Sequence, residues 1–122
     1  MSYVALATDQ FEAVVAFYGK ALGFPVVRAW DRANARSTVF DLYGLRLEIL
    51  DAARQKRPMR LPEPGERMHL VVEVDDADAA HRALPIAAPP PVTTSWGARL
   101  FSLHDPDGVP VWFLQWLDGH RQ

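Results

Sequence analysis

The chain has 122 residues, of which 49% are apolar and 23% charged, and it carries a net charge of -2 and no cysteine. That is one ordinary domain, long enough for a core, outside the disordered range and without disulfides or thiolate metal sites. The slightly acidic balance argues against a nucleic-acid binder that neutralises phosphates, and no apolar run approaches the roughly 20 residues of a membrane span. The first ten residues lack a basic start and a sustained apolar stretch, so no secretion signal is expected. A cytoplasmic protein that handles a small molecule, with no nucleic-acid or membrane partner, is what remains.

Tyr3 to Thr8 is short and apolar, which suits a strand. Phe11, Val14, Val15, Tyr18 and Leu22 form one stripe of an amphipathic helix. Asp9 is the expected N-cap, with Glu12 completing a capping box, and Gly23 and Pro25 stop the helix. Pro25 to Trp30 reads as a strand, and Asp31 to Asn34 as a turn. Ser37 to Leu42 and Leu45 to Leu50 are strands joined tightly at Tyr43-Gly44. In the latter, Leu45, Leu47 and Ile49 share one face, while Arg46, Glu48 and Leu50 share the other.

Asp51 to Met68 changes character. It holds Arg54, Lys56, Arg57, Arg60 and Arg67, three prolines and no periodicity, which predicts a solvated linker. His69 to Val74 is the next strand. Ala77, Ala80, His81 and Leu84 give a short helical stripe ended by Pro85, and Pro89-Pro90-Pro91 must be extended. Arg99 to His104 and Val109 to Leu117 are strands around Asp105-Pro106-Asp107-Gly108, where aspartate caps its own turn.

The order strand, helix, three strands occurs twice. Residues 39–50 lie over 103–114 without a gap, pairing Asp41 with Asp105 and Gly44 with Gly108. Tyr3 to Asp9 lie over His69 to Asp75 in the same way. Two copies of one βαβββ module, about 3–50 and 69–117 joined by linker 51–68, account for this.

The chain here resembles the vicinal oxygen chelate superfamily, the glyoxalase/bleomycin resistance/dioxygenase group. The carriers are Phe17-Tyr18-Gly19-Lys20-Ala21-Leu22-Gly23-Phe24, Phe40-Asp41-Leu42-Tyr43-Gly44 with Leu47-Glu48-Ile49, His69-Leu70-Val71-Val72-Glu73-Val74, and Asp105-Pro106-Asp107-Gly108-Val109-Pro110. The resemblance implies an α+β fold in which the curved mixed sheets of two modules enclose a cavity. It places the helices outside and commonly pairs two chains as a homodimer.

In metal-using members of that family four positions face the cavity, and matched onto this chain they are Tyr3, Glu48, His69 and Trp112. The metal pattern asks for His or Gln, Glu, His and Glu, so Glu48 and His69 are kept while Tyr3 and Trp112 depart from it. An indole has an N–H to donate and no lone pair to give a metal. A phenolate is costly at neutral pH. The expectation is therefore a protein with no resident cofactor. Period-two alternation sends Leu114 and Trp116 the same way as Trp112, giving an aromatic floor edged by a carboxylate and an imidazole. Tyr3, Glu48, His69, Trp112, Leu114 and Trp116 are the expected ligand-binding set for a small aromatic or cationic organic molecule.

Two alternatives stand beside this binder. One is an enzyme, either a divalent-metal lyase, epimerase or dioxygenase using Glu48 and His69, or a metal-free one moving protons with Glu48, His69 and Tyr3. The other is a regulatory or structural dimer whose cavity its own side chains fill. Arg46 is a possible partner for Glu48 from the same strand face.

Overall fold

The computed structural model describes residues 2–54 and 68–117. The first half runs β1 (Val4–Thr8), α1 (Phe11–Ala16, continued by a π-helical turn Phe17–Ala21), β2 (Val26–Arg32), β3 (Ala35–Leu42) and β4 (Leu45–Asp51). The second runs β5 (Leu70–Glu73), α2 (Ala77–Ala83), β6 (Val92–Thr93), β7 (Ala98–His104) and β8 (Pro110–Trp116). Each half forms a four-stranded mixed sheet, ordered β1-β4-β3-β2 and β5-β8-β7-β6, so the module repeats as the sequence predicts. In each sheet the first strand lies parallel beside the last, and the other pairs are antiparallel. Among the described residues no helix is long and apolar enough to cross a membrane.

The helix-facing side of each sheet is apolar. Phe40, Leu47 and Ile49 in one half and Val72, Phe101 and Val111 in the other are buried in one core cluster. Fully burying such a side chain contributes roughly 1.5–3 kcal/mol. Three rings bridge the halves: Phe113 stacks on Phe101 at 4.8 Å and on Phe24 of the first half at 6.0 Å. Polar contacts cross at the same place. The buried Tyr18 hydroxyl donates to Asp105 Oδ2 at 2.8 Å, and Gln10 Nε2 donates to Asp107 Oδ1 at 2.8 Å.

Several expectations are corrected. Asp9 does not cap α1. The N-cap is Gln10, whose side chain makes no capping bond to the helix; its backbone N–H donates to Thr8 Oγ1. The second helix is capped conventionally, by Asp76 accepting from the Ala79 N–H. The linker begins later than expected, because β4 runs through Asp51 and a 3-10 turn follows at Ala52–Arg54. Arg54 from the basic stretch pairs with Asp31 at 2.6 Å. Lys56, Arg57, Arg60 and Arg67 lie outside the described residues.

The gapless overlay of 39–50 on 103–114 holds for the last strands and fails before the turn. Leu50 faces Ser37 but its counterpart Leu114 faces Leu100, where the overlay requires Phe101. The reason is the turn itself. Tyr43-Gly44 closes the first hairpin in two residues of positive φ, whereas Asp105 to Val109 close the second. The extra length is accommodated by Asp105, whose Oδ1 accepts from both Asp107 N and Val109 N.

Candidate functional site on the open sheet faces

The sheet faces turned away from the helices carry the residues of interest. On β4, Leu47 and Ile49 enter the core, so Glu48 points the opposite way. On β8, Val111 and Phe113 do the same, leaving Trp112, Leu114 and Trp116 on the open face. The internal symmetry is kept in the register. Ala5 lies opposite Glu48 as Val71 lies opposite Trp112, so Tyr3 and His69, each two residues earlier, occupy equivalent places.

The structure gathers these residues in separate groups. Tyr3 and Glu48 line one hollow of about 240 Å³ with Val27, Arg28, Trp30 and Val39, and Arg46 at its side. Every residue of that lining comes from the first module. Glu48 is only 8% exposed, and among the described residues no hydrogen bond or ion pair reaches its carboxylate. Arg46 does not pair with it; its guanidinium lies 3.8 Å from Asp41 instead. The Glu48 oxygens are not fully enclosed and face the hollow, where an entering N–H donor would find them unengaged.

In the second module the His69 imidazole stacks on the Trp112 indole, with centroids 5.0 Å apart and planes at 29°. Leu114, two residues along β8, is 4% exposed. Trp116 donates its indole N–H to Glu73 Oε1 at 2.6 Å and meets Trp96 edge-on at 5.7 Å. Trp116 therefore faces Glu73 and Trp96, away from the hollow that holds Glu48.

Trp30 and Arg28 are the site residues that sequence reasoning does not find. Simple alternation from Val26, which faces Phe40, sends them to the helix side. A bulge between Val26 and Arg28 shifts the register, so Arg28 faces Val39 and Trp30 faces Ser37. Both then join the hollow. Ser37, across from Trp30, buries its hydroxyl with no partner among the described residues.

Of the four matched positions, Glu48 and His69 carry metal-donor side chains of the carboxylate and imidazole type. Among the described residues no three His, Asp or Glu side chains gather where they could share an ion. Glu48 and His69 offer one donor group each, and a catalytic site needs about three protein ligands. The ring stacked on His69 has no lone pair to add. His104 is exposed and stands beside an aspartate already used by its turn, so that run is a hairpin, as expected. His81 Nε2 donates to the Ala88 carbonyl at 2.9 Å and packs on Phe101, a structural role.

Comparison with known proteins agrees with this architecture. The family model of the Glyoxalase/Bleomycin resistance protein/Dioxygenase superfamily matches residues 1–113. Among solved structures, a glyoxalase/bleomycin resistance protein/dioxygenase from Nocardioides is 27% identical, with a TM-score of 0.70 over 98% of this chain and 85% of that one. A lactoylglutathione lyase from Agrobacterium tumefaciens is 20% identical, with a TM-score of 0.65 over 94% of this chain and 92% of that one. A glyoxylase/bleomycin resistance protein/dioxygenase domain from Frankia sp. EAN1pec is 16% identical, with a TM-score of 0.71 over 98% and 93%. The last two show a shared fold and no more. No curated protein matches the chain.

Proposed function

This chain belongs to the glyoxalase/bleomycin resistance protein/dioxygenase superfamily, and we propose that it is a metal-independent binder of a planar aromatic molecule carrying a protonated amine or similar N–H donor. The observation that carries this reading is Glu48, buried at 8% exposure, without a described partner, in a hollow walled by Trp30 and Tyr3. Aromatic walls favour a planar, cationic body, and an unpaired buried carboxylate favours a donor that completes it. Arg28 and Arg46 at the same hollow suit an acidic or carbonyl group elsewhere on the ligand.

Titration calorimetry with proflavine, a planar aromatic amine, tests the proposal. One saturable site per chain is expected. Glu48→Gln should weaken it about tenfold or more, since a hydrogen bond to a charged group contributes roughly 1.5–3 kcal/mol. Trp30→Ala should weaken it as well. Absence of saturable binding across a panel of planar amines, or unchanged affinity in both variants, overturns the reading.

A further inference from the structure

A second cavity lies on the opposite side of the first sheet, between α1 and the β2 edge. It measures about 440 Å³, within the usual range for small-molecule sites. Its walls are Phe11, Val15, Ala16, Phe24, Val26 and Phe40. The π-helical turn reaches it through Gly19, whose missing side chain keeps the floor open: a Cβ there would stand 3.1 Å from the Phe40 ring. Wide turns of this kind recur beside functional sites.

The second half of the molecule shows what its own version of this space contains. There α2 and β6 are separated by residues 84–91, and Leu84 and Ala88 from that segment pack against the core. His81 holds the segment through the Ala88 carbonyl at 2.9 Å. In the first half only residues 22–25 separate the π-helical turn from β2, so among the described residues no equivalent segment fills the groove.

Charge at the rim distinguishes the missing occupant. Arg36 is already engaged, with Glu12 at 2.9 Å, Asp51 at 3.6 Å and its guanidinium 4.3 Å over the Phe11 ring. Glu12 is correspondingly neutralised, its carboxyl held below the ordinary range first by the Arg36 hydrogen bond. Lys20 is the one charged lining residue with no ion pair among the described residues. An apolar trough with one unanswered cation complements an apolar body ending in an anion.

We propose that this groove is a binding site for a small carboxylate with an aliphatic body, of the medium-chain fatty acid class, with Lys20 meeting the carboxylate. It is separate from the hollow of Glu48 and does not depend on what that hollow takes. Calorimetry of the whole chain with decanoate, below its micelle concentration and at low ionic strength, gives one site per chain. Decyltrimethylammonium, with the same tail and opposite charge, binds more weakly. Lys20→Glu reduces decanoate affinity about fivefold or more, as removing a surface charge pair and adding a repulsion implies. Ala16→Phe fills the trough and abolishes binding, and Lys20→Glu, on the exposed rim, keeps the test decisive if that variant fails to fold. No decanoate binding, equal affinity for the two tails, or indifference to Lys20→Glu overturns the proposal. So does loss of decanoate binding on Glu48→Gln, which would place the acid on the other face.

Discussion

Replacing Tyr18 by Phe isolates the polar bond between the two halves. The ring is fully buried and stays, so packing volume is preserved and only the hydroxyl is lost. Asp105, 4% exposed, keeps the Asp107 and Val109 N–H groups on Oδ1 and loses the one partner seen on Oδ2. A hydrogen bond to a charged group contributes about 1.5–3 kcal/mol, so urea unfolding at neutral pH should show a loss of about 2 kcal/mol. The penalty should depend on pH with a definite sign. Burial raises the Asp105 carboxyl above its ordinary pKa, while the Val109 N–H, the Tyr18 hydroxyl and the Asp107 N–H hold it down. A carboxyl raised in the folded state supports folding below its unfolded value of about 3.9 and loses that support as pH climbs through the folded value. Taking away the hydroxyl raises it further. The variant should therefore nearly match the parent in mild acid and fall behind as the carboxylate ionises. A penalty under about 0.5 kcal/mol at neutral pH, or one of equal size in acid, refutes this account of the Asp105 environment.

Other outcomes follow from the same structure. Burial and the Asp105 charge push the Tyr18 phenol well above its ordinary value of about 10. That stabilisation is intact below the ordinary value and is lost as pH rises beyond it, so alkaline unfolding should be steeper in the parent than in Tyr18→Phe, followed by circular dichroism. Gly23 ends the first helix at φ +75, and Gly23→Ala should lower stability by about 1–2 kcal/mol, read as a shifted urea midpoint at unchanged slope. Tyr3→His with Trp112→Glu adds one donor to each group, and because Tyr3 and Glu48 share one hollow while His69 and Trp112 form another group, calorimetry should show no tight zinc or manganese site. Tight one-to-one ion binding by the folded double variant would mean that the four positions converge.

The repeat was legible because it is written in local signals. The stripe of Phe11, Val14, Tyr18 and Leu22, the alternation of β4 and the aspartate turn at Asp105 each follow from one stretch of chain. The orientation of Glu48, Trp112 and Leu114 followed from alternation alone, since neither β4 nor β8 is bulged in the observed register. Trp30 was not legible, because a bulge reverses alternation without a distinctive residue to announce it. The pairing of Tyr18 with Asp105 was equally hidden, joining two residues whose neighbours in sequence give no sign of each other. Asp9 misled for a simpler reason: it has the composition of a cap but sits one residue before the observed one.

That long-range bond bears on how the protein is made. Tyr18 and Asp105 are 87 positions apart, and Phe24 waits for Phe113 in the same way. While the ribosome is still extending the chain, the amino-terminal half holds a hydroxyl and a ring whose partners have not yet emerged. These contacts between the halves form only once the final hairpin has been made, so the last strands complete the core that the first helix begins.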